Sequence, residues 1–420
     1  PAREGIASHP PSGQRVLAMT QATNMIYNQH HLERQLPHGL SDLFFAAAAQ
    51  RARLEATLAE TFRRWGYTQI IPPMFEFYES IAAEAGPQLR EELYRFFDRD
   101  GRTLALRADF TIPIARIVAT KLFDQPMPLR FFYMGSVFRH EEPRAGRRRE
   151  FTQAGIELIG AHTPAADAEA IALAVESLRA MGLRDFRLSV GQMAYFKALI
   201  ADLPLSAEPI AQLKDAIERR ASAQLTQVLQ TLPIADERKN ILARLPHWRH
   251  SARWLDDARE LCINAPTHAA MDELQAVTAR LEASGLGDVF SVDLAELRGM
   301  EYYTGIVFEG FAPGIGYPIV SGGRYDELIG HFGQSLPAVG FAIEVERAMI
   351  ALPSSDVSLA PDVVAEACGH AECQLPIDEA RRAGQRVLVD VLGRRGEVLR
   401  AHARSLGARQ VLVCGRRVNE

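Results

Sequence analysis

Leu297-Arg298-Gly299-Met300-Glu301-Tyr302-Tyr303-Thr304-Gly305-Ile306-Val307-Phe308-Glu309 places an arginine, two adjacent tyrosines and a glutamate just ahead of or on a strand. Its glycines allow close backbone approach to something small. Such a run suits the wall of a polar small-molecule pocket, and the question is what the rest of the chain gathers around it.

The chain has 420 residues, of which 47% are hydrophobic, more than one core usually holds, so two or three domains are expected. A formal net charge of -5 gives none of the basic surplus of a dedicated nucleic-acid binder, which weighs against a tRNA partner. The four cysteines, Cys262, Cys368, Cys373 and Cys414, are scattered without a disulfide-framework spacing and fit a reducing cytoplasm. Cys368-Gly-His370-Ala-Glu-Cys373 is a metal-like fragment that lacks a second ligand pair, so ordinary free thiols are expected, with no metal and no cofactor. No apolar run approaches the roughly 20 residues of a membrane span, and the first 20 residues lack a signal-peptide core. A soluble, cytoplasmic protein without membrane contact is expected.

Residues 1–30 mix Pro, Gly, Ser, Gln and Asn without periodicity and read as a disordered or non-native extension, with Met19 a candidate start. Ser41 or Asp42 can cap a helix that runs through the Ala-rich stretch to Trp65, with Leu54, Leu58 and Phe62 on one face. Gly66 ends it, and Tyr67 to Ile71 reads as a strand stopped by Pro72-Pro73. Leu104 to Leu106, Leu129 to Phe138 and Phe151 to Ile159 suit neighbouring strands of one mixed sheet. A helix spans Thr163 to Met181, with Gly182 at its end, and Phe186 to Val190 returns as a strand. Residues 195–285 keep helical spacing and read as an insertion. Strands resume at Phe290 to Leu294, Ile306 to Phe311 and Pro318 to Val320, followed by a helix near Glu344. In 361–420, Arg386-Val-Leu-Val-Asp390 and Gln410-Val-Leu-Val-Cys414 read as two buried parallel strands joined by a helix from Arg395 to Leu406.

Four segments carry the chemistry. They are Leu106-Arg107-Ala108-Asp109-Phe110-Thr111; Phe138-Arg139-His140-Glu141 running on to Gln153 and Glu157; the opening segment with Arg298, Tyr302 and Tyr303; and Ser321-Gly-Gly-Arg324-Tyr325-Asp326 followed by Gly340 to Arg347. In this order they resemble the amino-acid pocket and motifs 2 and 3 of histidyl-tRNA synthetases. The helix, strand and proline of residues 41–73 resemble motif 1, the dimer interface of class II synthetases. The resemblance covers about residues 34–350. It implies an α+β fold: a class II synthetase-like mixed, largely antiparallel sheet flanked by helices over 31–350, with the 195–285 insertion and a small C-terminal α/β appendage at 361–420. It also implies that Asp109, Thr111, Arg139, Gln153, Glu157, Arg298, Tyr302 and Tyr303 bind histidine. Chemically, Asp109 and Gln153 suit the ammonium, Glu157 an imidazole N–H, Tyr303 the other ring nitrogen, and Arg139 or Arg298 the carboxylate.

The departures are as informative. Asp109 stands for the synthetase Glu, Phe110 for a Gly, and Glu344 for a motif 3 Gly, where a carboxylate would intrude on ATP. At an effective dielectric near 20, a carboxylate about 4 Å from a phosphate charge costs on the order of 4 kcal/mol. These departures, and the run Ala145 to Gly160, resemble the regulatory subunit of ATP phosphoribosyltransferase, a synthetase paralogue without aminoacylation. That resemblance implies no catalysis by this chain, a homodimer within a hetero-oligomer, a short-form catalytic subunit as partner, and histidine as allosteric ligand in the first step of histidine biosynthesis. An active histidyl-tRNA synthetase and a tRNA-sensing pseudo-synthetase are the alternatives, the latter resting on Arg144, Arg147, Arg148 and Arg149.

Overall fold

The computed structural model describes residues 35–141, 148–248, 250–251, 253–297, 302–353, 358–414 and, for the backbone, 416–419. The expectation for residues 1–30 lies outside these residues, as do Arg144, Arg147 and Arg298. Two compact units emerge, one of residues up to Asp42 with Arg51–Pro353, the other of Leu43–Gln50 with Ser354–Glu420.

The strands, in chain order, are β1 Thr68–Gln69, β2 Phe75–Phe77, β3 Arg95–Phe97, β4 Thr103–Leu106, β5 Leu129–Phe138, β6 Glu150–Ile159, β7 Arg187–Gln192, β8 Phe290–Val292, β9 Ile306–Phe311, β10 Val320–Arg324, β11 Ala338–Glu344, β12 Val363–Glu366, β13 Val387–Asp390, β14 Gln410–Val413 and β15 Arg416–Asn419. The main sheet has the order β1-β5-β6-β11-β10-β9-β7-β8; its six central strands are antiparallel, and β1 and β8 pair in parallel at its edges. The run Leu104 to Leu106 does not join this sheet, contrary to the expectation. β4 lies between β2 and β3 in a separate antiparallel sheet, because alternation fixes a strand's faces but not its partner. One face of that small sheet carries Phe75, Phe77 and Phe96, which are 51%, 43% and 38% exposed, with Phe75 and Phe96 in edge-to-face contact at 5.7 Å.

One face of the main sheet is apolar. Phe132, Ile156, Phe341, Phe308 and Val190 lie in register across it. The helix Phe45–Arg64 packs on this face through Leu54, Leu58 and Phe62, whose ring is 5.7 Å from Phe132 and 6.1 Å from Phe341. That helix begins at Phe45, not at Ser41 or Asp42, so neither of the two acts as its cap. The helix Pro164–Met181 follows its punctuation: the Thr163 hydroxyl accepts from Ala166 N–H, Pro164 takes the first turn, and Gly182 closes it at φ 103. Helices from Met193–Ile200 to Ala265–Ala283 occupy the stretch between β7 and β8.

In the C-terminal unit the sheet order is β13-β12-β14-β15. The two strands read from the sequence do not pair with each other, because β12 lies between them and pairs with both in parallel. β13 is also more exposed than a buried strand, with Leu388 37% exposed.

Candidate functional site

The second face of the main sheet is built from side chains two residues apart on each strand, so the register alone assembles it. Phe131, Glu157, Gly340, Gly323, Val307 and Gly191 form one row across six strands. Tyr133, Gly155, Ala342, Ser321, Glu309 and Ser189 form the next, and Gly135, Gln153 and Glu344 a third. The glycines leave room for side chains lying on the sheet. A Cβ at Gly323 would lie 2.9 Å from the Tyr303 ring, and one at Gly135 would lie 2.8 Å from the Arg107 guanidinium. The result is a polar face floored by backbone.

Glu157, 1% exposed, sits at the centre. Thr111 Oγ1 donates to its Oε1 at 2.9 Å, and the Tyr325 hydroxyl donates to its Oε2. Burial pushes this carboxyl up to about 8; the Tyr325 and Thr111 hydrogen bonds pull the other way, and the charge of Asp109 adds to the rise. Asp109 is held where the chain turns from β4 into the helix Thr111–Ile117, and its Oδ1 accepts from Ile112 N–H at 3.3 Å. Burial raises its pKa as well, opposed by Arg139 and by the backbone donors of Ile112 and Thr111. Its Oδ2, and the Oε1 of Gln153, are buried acceptors with no hydrogen-bond partner among the described residues. Two such acceptors around the face that carries a buried carboxyl fit a ligand that brings N–H donors and positive charge.

The tyrosines close the other side. Tyr302 meets Tyr303 at 5.2 Å and Tyr325 at 5.6 Å, both edge to face, and burial drives all three hydroxyls above their ordinary range. Arg139, half-buried, donates from Nε to Ala108 O at 3.0 Å and lies 5.3 Å over the Phe151 ring. Asp109, Thr111, Arg139, Gln153, Glu157, Tyr302 and Tyr303 thus lie on or around one face, with Thr111 holding Glu157. Sequence reasoning quoted Tyr325 as pocket wall without giving it a role, and it missed Tyr133, which stacks on Phe110 at 4.5 Å and donates to Phe341 O at 3.2 Å. The Phe110 substitution gave the only local signal for that stack. Arg324 is structural: it is 3% exposed, and its guanidinium bridges Asp167 at 2.8 Å and Asp326 at 2.9 Å.

At the third row Glu344, opposite Gln153, pairs with Arg347 Nε at 2.8 Å. Burial raises the Glu344 carboxyl to about 7, with Arg347 and then Arg139 opposing. Arg347 also donates to Pro318 O at 2.8 Å and lies 5.3 Å over the Tyr317 ring. Arg347 is therefore engaged from within the chain. A separate cleft of about 340 Å³ lined by Asp202, Pro233, Ile234 and Arg238 contains none of these residues.

The family model described as histidyl-tRNA synthetase matches residues 39–348. The ATP phosphoribosyltransferase regulatory subunit of Moorella thermoacetica is 42% identical over 380 residues, 90% of this chain and 97% of that protein. Its namesake in Symbiobacterium thermophilum is 41% identical over 388 residues, 90% of this chain and 96% of that one. The solved structure of an ATP phosphoribosyltransferase regulatory subunit/histidyl-tRNA synthetase from Bacillus halodurans superposes with a TM-score of 0.80 at 29% identity, covering 90% of this chain and 98% of that one. The apo histidyl-tRNA synthetase of S. aureus shares the fold, with a TM-score of 0.63 at 23% identity over 90% of each chain. At this identity over nearly the whole length of its relatives, and with the same sheet, this chain belongs to the ATP phosphoribosyltransferase regulatory subunit family, within the histidyl-tRNA synthetase-like fold.

Proposed function

We propose that this chain binds free histidine on the glycine-floored face of its sheet and transmits occupancy to a short-form ATP phosphoribosyltransferase catalytic subunit, without catalysis of its own. The pair of unpartnered buried acceptors, Asp109 Oδ2 and Gln153 Oε1, carries the reading. An α-ammonium would satisfy both, while Glu157 and the tyrosines stand ready for an imidazole. Charge-assisted contacts of roughly 1.5–3 kcal/mol each reach micromolar affinity when three or four act together, after association costs. The Glu344–Arg347 pair supports the absence of adenylation, because a triphosphate would have to displace a carboxylate from its own arginine.

The partner is carried over from the relatives, whose names place them in an ATP phosphoribosyltransferase. Feedback through such a complex is a coupling free energy, typically about 1–3 kcal/mol. The exposed phenylalanine face of the β2-β4-β3 sheet supports a homodimer, since apolar surface of this kind is usually covered in an assembly. Among the described residues no helix is long and apolar enough to cross a membrane.

Calorimetry of the purified protein with histidine tests the reading directly. Saturable heat, with inhibition by histidine of the reconstituted phosphoribosyltransferase, is the expected result. Absence of both heat and thermal stabilisation overturns it. Histidine-dependent pyrophosphate exchange into ATP would instead reveal a working synthetase.

A further inference from the structure

The C-terminal unit brings three groups that are neighbours in sequence together with a fourth from 41 residues further on. Cys368 lies two residues beyond the end of β12, His370 directly precedes the helix Ala371–Arg382, Cys373 is in its first turn, and Cys414 follows directly on β14. β12 and β14 are adjacent parallel strands paired from Val363↔Gln410 to Ala365↔Leu412, so their carboxyl ends finish side by side. The loop out of β12 therefore delivers Cys368, His370 and Cys373 against Cys414. The metal-like fragment was discounted in the sequence for want of further ligands; the fold supplies one from 41 residues beyond Cys373.

The ligand atoms of the four residues all lie within 4.8 Å of one another. Cys373 Sγ is 3.9 Å from Cys414 Sγ, and Cys414 Sγ is 3.6 Å from His370 Nδ1. A tetrahedral zinc ion with Zn–S near 2.3 Å and Zn–N near 2.0–2.1 Å sets its ligand atoms about 3.5–3.8 Å apart. The two separations match that edge length and are well outside the roughly 2.05 Å of a disulfide. Three thiols and one imidazole are also the donor set that selects zinc over magnesium or calcium.

We propose that Cys368, His370, Cys373 and Cys414 form a structural Zn²⁺ site that ties the ends of β12 and β14 to the start of the helix Ala371–Arg382. Four protein ligands close the coordination sphere and leave no position for a reacting water, so the ion is structural. Binding displaces the three thiol protons and needs no redox partner; three thiolates and Zn²⁺ leave a net charge of -1 on the cluster. The unit has use for such a tie. Its two cores are small, one centred on Val363, Ala365, Ile377 and Leu412, the other on Val364, Leu399, Ala403 and Val411. Folded units of this size often depend on a metal or a cross-link.

The full-length chain, purified reduced and without a metal-binding tag, tests the site by its metal content after gel filtration. About one zinc per chain is expected, retained in Cys262→Ser and lost in the double variant Cys373→Ser, Cys414→Ser. Differential alkylation of the unmodified chain provides a readout that does not depend on the variants folding. Cys368 and Cys414 should be protected from iodoacetamide as isolated and become reactive after chelation with phenanthroline, whereas Cys262 should respond equally in both. The proposal fails if the reduced protein neither carries zinc nor takes it up from a zinc-loaded chromogenic chelator. It fails equally if the double variant keeps its zinc, or if peptide mapping of the freshly isolated protein finds Cys373 and Cys414 joined as a disulfide.

Discussion

Gly340 lies directly opposite Glu157 in the β6–β11 pair, and a methyl group at 340 would overlap both the Glu157 carboxylate and the Ile156 carbonyl. The backbone carbonyl cannot retreat, so Gly340→Ala must displace the Glu157 side chain. Overpacking of this kind costs about 1–3 kcal/mol. The variant should melt lower and give no histidine heat in calorimetry, and a variant that binds normally would remove Glu157 from the site.

Asp109→Asn separates binding from folding. It keeps the shape of the side chain but removes a buried charge whose Oδ2 has no partner. Histidine affinity should fall by roughly 10- to 150-fold, the equivalent of one charge-assisted contact of about 1.5–3 kcal/mol. The unliganded melting temperature should hold or rise, because the desolvation cost of the buried carboxyl, which exceeds what Arg139 and the backbone donors return, has been removed. A parallel loss of stability and affinity would make Asp109 a structural residue.

Glu157 makes the ligand-free protein pH-sensitive. Its folded pKa of about 8 is above the ordinary carboxyl value, so between roughly pH 4.5 and pH 8 the folded state holds a proton that the unfolded state has released. The unfolded state then binds fewer protons, and stability from this group falls as pH rises through that window. Urea melts of the wild type against Glu157→Gln should show a steeper decline with pH in the wild type. Parallel profiles would mean that the carboxyl titrates normally.

Arg324 is 3% exposed and holds β10 through Asp167 and Asp326. Arg324→Ala leaves the buried Asp167 carboxylate without its cation, which costs about 3–5 kcal/mol. Chemical denaturation should show that loss as a lower midpoint. A change below about 1 kcal/mol would place the pair among weak surface bridges.

Glu344→Gly releases Arg347 from its ion pair and clears the third row of the face. Retention of ATP should increase while histidine affinity stays within about twofold, since the contacts of roughly 1.5–3 kcal/mol assigned to histidine lie on Asp109, Gln153 and Glu157. Equilibrium dialysis with both ligands distinguishes the effects, and unchanged ATP binding would mean that Glu344 is not what excludes the nucleotide.

Legibility in the sequence followed the range of the interaction. Local punctuation was enough for the helix Pro164–Met181, where Thr163, Pro164 and Gly182 are all neighbours in the chain, and for β9, whose bounds Ile306 and Phe311 match the apolar run. Ser41 misled because capping propensity is a weak prior, and the helix starts four residues later. β12 escaped notice in the sequence; it lies between β13 and β14, which run parallel as read and are both paired to it. The site face depended on register, which no single strand reveals. Resemblance supplied the residues proposed to bind histidine, but the hold of Tyr325 and Thr111 on Glu157 spans 168 and 46 residues and became visible only in the fold.

The glycine rows also govern how this chain can diverge. A floor without side chains takes its contour from whatever rests on it, and each glycine accommodates a different wall: Tyr303 at Gly323, Glu157 at Gly340, Arg107 at Gly135. A single added carbon at any of them moves a different part of the cavity. Drift along this line of the sheet would therefore be felt first as altered ligand choice, while the apolar face beneath it could repack with its family resemblance intact.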